Sequence, residues 1–275
     1  MTVLLWIILF CFIGGILSVL AASVFLALRE NTRRLVLPHL VSYAIGALLG
    51  AAFLGLLPHA INNPTVTDVH DITLTVLIGI LTFFILEKFV LWRHCHSLEC
   101  EAHGPETNAA HEGHKHSHND EQKNEHNKSA GTLVLVGDGV HNFVDGVLIA
   151  AAFLTDVHLG IVTAIAVAAH EIPQEVADFA ILLQSGFSRT KALVFNVLSS
   201  LTTVVGGVLA YYSLKEMESL LPFILAIAAA SFIYVAVADL IPSLHKKTDF
   251  KDSIQQITLI TLGVITILST HSLLH

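Results

Sequence analysis

Long apolar runs alternate with short polar connections along the whole chain. Eight runs reach the roughly 20 residues a helix needs to cross about 30 Å of hydrocarbon. They lie at about 3–28, 36–60, 72–93, 131–154, 160–184, 191–212, 220–242 and 254–273. Strands of a membrane barrel would run about ten residues and alternate apolar with polar; these runs are longer and do not alternate. The pattern predicts an all-α polytopic membrane protein, a bundle of eight transmembrane helices. It divides the chain into helices 1–3 (1–93), a polar insert (94–130) and helices 4–8 (131–275). The first run carries no charge before Arg29 and is too long for the apolar region of a signal peptide, so it is read as a true span.

Composition agrees. Of 275 residues, 54% are hydrophobic and 13% charged, against about 25% charged in ordinary globular chains. The mean hydropathy is +0.71. Three cysteines exclude a disulfide scaffold. A net charge of −8 without a basic patch excludes nucleic acid as a partner. The partners implied are the lipid bilayer and, from the 17 His, metal ions.

Lys and Arg set the orientation. All but Lys215 of the 14 fall on the side of the odd-numbered connections, among them Arg29, Arg33, Arg34, Arg189, Lys191, Lys246 and Lys247. This predicts that those connections and the insert are cytoplasmic and that both termini lie outside. Short loops and no cleavable signal suit a bacterial inner membrane.

Polar residues inside two spans carry the chemistry. Span 4 places Asp138, His141, Asn142 and Asp145 at i, i+3, i+4, i+7, one helical stripe. Span 5 places His170, Glu171, Gln174, Glu175 and Asp178 at i, i+1, i+4, i+5, i+8, a second stripe. An acidic residue at a helix centre costs roughly 2.5–3.5 kcal/mol in insertion, so these stripes cannot face lipid. The short Thr155–Leu159 connection makes the two helices antiparallel neighbours, with stripes face to face. Imidazole, carboxylate and amide together suit a borderline divalent metal such as zinc or Fe(II), and intramembrane ionisable groups are functional by default. Pro173 frees the carbonyl of Ala169, a break tolerated where backbone lines a cavity.

Weaker signals surround these. Asn196, Ser199, Ser200 and Thr203 form an uncharged stripe on span 6, read as a cavity wall or as small-residue packing. Gly46 and Gly50 sit at close-packing spacing on span 2. His59 is either a ligand on the way in or an interfacial His. Glu87 and Asp239 lie near the cytoplasmic ends of their spans; Glu87 is read as a metal-exit residue or as compensated by Lys88 and Arg93. The insert 94–130, with eight His, is expected to be a disordered cytoplasmic loop that buffers or senses metal. Cys95, His96 and Cys100 could supply a tighter site there.

The segments HNFVDG (141–146) and HEIPQE (170–175) resemble the ZIP family of metal-ion transporters, and most closely its subfamily whose fifth helix reads HE-x-P-H-E. LLPHA in span 2, LEKFV in span 3, DFAIL after the fifth-helix motif, and FIY and LIP in span 7 are also similar, so the resemblance covers nearly the whole chain. It implies a transport site between helices 4 and 5, often binuclear. On that pattern His141, Asp145, His170 and position 174 hold one metal, while Asn142, Asp145, Glu171 and position 174 flank a second. The resemblance also implies alternating access by an elevator or rocking motion, metal movement toward the cytoplasm, and a homodimer. This chain departs by carrying Gln174 where the subfamily has His, with Glu175 as a possible substitute, and Thr203 where some relatives carry Glu.

The reading is therefore a transporter importing divalent metal ions, most of all Zn2+, with Fe2+, Mn2+ and Cd2+ as further substrates. The metal residues are His141, Asn142, Asp145, His170, Glu171, Gln174 and Glu175, with no catalytic cofactor. Because metal displaces protons from His, uptake is expected to fall at low pH. A proton-coupled exporter also places His and Asp within membrane helices, but with six spans and a cytoplasmic C-terminal domain, whereas this chain ends at His275 after the last span. An intramembrane zinc hydrolase would need a second His in HExxH, and position 174 is Gln. The chain is not read as an enzyme.

Overall fold

The structure is a computed structural model that describes residues 1–95, 120–245 and 249–274. Among the described residues it is helical, with no strand. Eight helical rods are present: α1 (Val3–Ala27), α2 (Glu30–Gly50), α3 (Val69–Cys95), α4 (Asp120–Thr155), α5 (Val157–Gln184), α6 (Arg189–Leu214), α7 (Leu221–Tyr234) and α8 (Phe250–Leu274). α2 continues through a π-helical segment, Ala51–Leu56, into Leu57–Ile61. α7 likewise runs through Val235–Leu240 into Ile241–Leu244. Such wide turns often mark functional sites inside α-helices. The all-α membrane fold expected from the pattern is thus present.

Two boundaries differ from expectation. α2 starts at Glu30 because its polar first turn is helical: Glu30 pairs with Arg34 at 2.5 Å, one turn apart, and an acidic residue at a helix start is favourable. α4 starts at Asp120, so the end of the insert, expected as loop to 130, is helical from there on. Its Glu, Gln and Lys are good helix formers that extend a helix already nucleated by the span. Residues 96–119 of the insert, including HEGHKHSH, His96 and Cys100, lie outside the described residues, and so does the expected buffering role.

Seven of the eight rods are long and apolar enough to cross a membrane by length and composition. The exception is α5, which carries Glu171, Glu175 and Asp178. Its place in the bundle accounts for it: α5 packs against α1, α2, α4, α6 and α8, with its acidic stripe turned inward. α3 and α8 sit at the periphery, with only 11% of each apolar window buried. Their exposed Leu, Ile and Phe side chains suit contact with lipid.

Close helix pairs are set by glycine. A Cβ at Gly146 would overlap the Thr203 carbonyl, and one at Gly206 would overlap the Phe143 carbonyl, so α4 and α6 touch backbone to backbone. Gly46 meets Ile260 in the same way and brings α2 against α8, as the spacing on span 2 anticipated. At the opposite side of the bundle from the insert, Asp68 opens α3. It accepts from the His70 amide and ring, each at 2.8 Å. The amide bond, and the ring after it, hold the Asp68 carboxyl below its usual range.

Candidate metal site

α4 and α5 join through Asp156, whose carboxylate caps α5 by accepting from the amides of His158 and Leu159. The tight turn makes the helices antiparallel, and their polar stripes meet. His141 and Asp145 come from α4, His170 and Glu171 from α5, and one ligand atom of each lies within 4.8 Å of all the others. The two imidazole Nε2 atoms are 3.3 Å apart. Asp145 Oδ2 is 3.3 Å from His170 Nε2 and 3.6 Å from His141 Nε2. Glu171 Oε1 is 3.6 Å from His141 Nε2 and 3.9 Å from His170 Nε2.

Four of these five separations match a tetrahedral ion, and the Glu171–His170 separation is longer. Zinc ligands at about 2.0–2.2 Å stand roughly 3.3–3.6 Å from one another. Three further observations point to a cation. The side chains of Asp145, His170 and Glu171 are at most 3% exposed. Asp145 Oδ2 and both Glu171 carboxylate oxygens have no hydrogen-bond partner, and buried acceptors of that kind are costly unless a proton or metal answers them. The His170 Nδ1 sits 3.1 Å from the Ala166 carbonyl. Donation there leaves the Nε2 lone pair free for the cluster. His141 is the one member with 26% of its side chain exposed, and so the one on the open side.

The other sequence candidates stand beside this cluster. The Asn142 amide donates to Asp138 Oδ1 at 2.9 Å and to the Asp138 carbonyl at 3.2 Å. Its carbonyl oxygen accepts from Thr203 at 2.8 Å. Both ends are thus engaged as a strut between α4 and α6. Glu175 is fully buried, accepts from Ser200 at 2.8 Å, and keeps its second oxygen without a partner. Gln174 is half-buried on the turn after His170. Asp138, Glu175 and Asp178 lie within electrostatic reach of one another, one to two turns along α4 and α5 toward the odd-numbered connections.

The span 6 stripe is a wall with bonds in it. Asn196, Ser199, Ser200 and Thr203 are all buried, and Asn196 donates to the Glu175 carbonyl at 3.4 Å. Spacing had left open whether this stripe was wall or packing, since which helix it faces is not written in it. His59 has its Nδ1 2.8 Å from the Gly55 carbonyl, apart from the four-residue cluster. For Glu87 the sequence left open a role in metal exit or compensation by Lys88 and Arg93; Lys88 lies over the Phe84 ring. Glu87 accepts from the Tyr234 hydroxyl, which ties α3 to α7 across 147 residues of chain.

Comparison with known proteins gives this arrangement a family. The family described as ZIP Zinc transporter matches residues 1–270. "Zinc transporter ZIP13" of Pongo abelii is 30% identical over 241 residues, covering 83% of this chain and 65% of that protein. The protein of the same name from Gallus gallus is 31% identical, covering 90% of this chain and 77% of its own length. "Zinc transporter ZIP10" of Danio rerio is 41% identical over 112 residues, or 41% of this chain and 13% of that protein. The chain thus spans about two thirds to three quarters of the ZIP13 relatives. With a match over nearly its whole length and an inward-facing His and carboxylate cluster on two adjacent helices, the chain belongs to the ZIP zinc transporter family.

Proposed function

We propose that this chain carries divalent metal ions, zinc foremost, into the cytoplasm through the site between α4 and α5. The observation that carries the reading is the set of four candidate ligand atoms from His141, Asp145, His170 and Glu171 gathered within 4.8 Å of one another. Family membership and the names of the relatives support zinc as the cargo. Asn142 and Glu175 act next to these four, holding them through α6 and offering oxygens when the ion leaves. Gln174, neutral and half-buried, offers a weaker oxygen on the same side. Fe2+, Mn2+ and Cd2+ are further substrates, since their ligand preferences overlap. As the resemblance implies, the protein works as a homodimer.

The ion sheds water to enter the cluster, and two carboxylates against one divalent charge keep the loaded site near neutral. Release requires weaker binding in the state open to the cytoplasm. Asp138, Glu175 and Asp178, one to two turns further toward that side, supply the next oxygens. A hydrolase would need Glu171 free as a base, but Glu171 Oε1 sits among the ligand atoms, 3.6 Å from His141. The protein is a carrier in this reading, not an enzyme.

Radiolabelled zinc uptake into cells expressing wild type and His141→Ala, with competing metals, tests it. Wild-type accumulation that falls to background in His141→Ala is the expected result, and competition ranks the metals. Reduced zinc content in wild-type cells would overturn the direction and favour an exporter.

A further inference from the structure

Four helix ends meet on the side of the odd-numbered connections: the last turns of α1 and α5 and the first turns of α2 and α6. Between them lies a cavity of about 310 Å³ whose lining shares no residue with the metal cluster. Its walls divide by chemistry. Leu26, Phe179, Leu183 and Leu193 form an apolar side, while Arg33 and Arg189 bring two guanidinium groups. The Nε of Arg33 is buried and has no hydrogen-bond acceptor. Among the described residues, no carboxylate stands within ion-pair distance of either arginine; Glu30, the acid at the start of the same helix, pairs with Arg34 instead.

We propose that this cavity holds the phosphate of an anionic phospholipid from the leaflet on that side. A phosphodiester accepts from both guanidinium groups, whose planar forks suit its oxygens. It satisfies the buried Arg33 donor and relieves the repulsion between two cations that face one space. The apolar wall then takes the upper part of an acyl chain. Charge selects the headgroup: phosphatidylglycerol brings one negative charge, whereas a choline headgroup would add a third cation to the cavity. The depth agrees, because the cavity sits where four helices end, at the level of the headgroups. Basic pockets between transmembrane helices recognise anionic lipids on the cytoplasmic side, the side to which the Lys and Arg distribution assigns this one. A lipid bound there ties the end of α1 to the starts of α2 and α6.

The test is native mass spectrometry of the full chain released from neutral detergent, with phosphatidylglycerol or phosphatidylcholine added, and glycerol phosphate as a chain-free probe. Wild type is expected to retain phosphatidylglycerol in preference to phosphatidylcholine. Arg33→Gln and Arg189→Gln are each expected to weaken that retention about five-fold, the worth of one basic residue at an anionic surface. Arg34→Gln, whose charge is engaged by Glu30, leaves it unchanged. Arg189 is exposed, so its variant keeps the test open should Arg33→Gln fail to fold. Equal retention of both lipids, or full retention by the Arg189→Gln protein, overturns the proposal. Glycerol phosphate binding as well as the lipid assigns the cavity to free phosphate and overturns the lipid.

Discussion

At the residue scale, the His and carboxylate cluster is braced by side chains that stand beside it. Asn142 is held from both ends, by Asp138 and by Thr203. Removing the Thr203 hydroxyl while keeping its shape leaves the Asn142 carbonyl buried and unsatisfied, which costs about 1–3 kcal/mol. The amide then turns, and α4 loses its strut beside His141 and Asp145. Thr203→Val is therefore expected to lower zinc affinity about ten-fold, the lower end for loss of an outer partner of a metal site. A zinc titration of the purified variant checks this, and wild-type affinity would return Thr203 to plain packing. The conservative Thr203→Ser keeps the donor and is expected to stay within about two-fold of wild type.

At the element scale, the site rests on how closely α4 and α6 approach. Gly146 and Gly206 allow backbone contact there, so the Thr203 hydroxyl of α6 reaches Asn142 of α4 at 2.8 Å. Two glycines on α4 make a controlled comparison. A Cβ at Gly146 runs into the Thr203 carbonyl, whereas one at Gly137 meets nothing within 4 Å. Gly146→Ala must push the helices apart, at a cost of about 1–3 kcal/mol, or a melting temperature lower by about 2–10 °C. Gly137→Ala gains helix propensity of about 0.5–1 kcal/mol and is expected to melt at or slightly above wild type. Thermal melting of both in detergent decides it, and equal melting temperatures would remove the close α4–α6 contact from the explanation.

At the scale of the whole molecule, one acidic helix is wrapped by apolar ones. α5 alone among the eight rods is too polar to stand as a membrane span by composition, and it packs against five others. Its acids reach the membrane interior only inside that wrapping. The same arrangement aligns the helix ends and so fixes the topology. Cysteines introduced on a background lacking Cys95 and Cys100 test it. Lys215→Cys is expected to react with an impermeant maleimide from outside intact cells, and Lys191→Cys only after lysis. The reverse pattern would invert the proposed orientation and the direction of transport with it.

The sequence by itself determined the eight spans, the two polar stripes and the side to which the positive charges go. Each is local: hydropathy acts over one span, and helical period over a few turns. It also held the four clustered residues, because consecutive turns of α4 and α5 and a short connection leave their stripes little choice but to meet. Tertiary structure decided what lies across from each stripe. Thr203 is 61 residues from Asn142, and Tyr234 is 147 from Glu87. Such pairs depend on how each helix is rotated and how closely it packs, and the spacing along one helix fixes neither. For the same reason the sequence places Asn142 in the stripe of span 4 but does not show its bond to Thr203. Arg33 and Arg189, plain topology signals along the chain, come to face one cavity only when four helix ends are brought together.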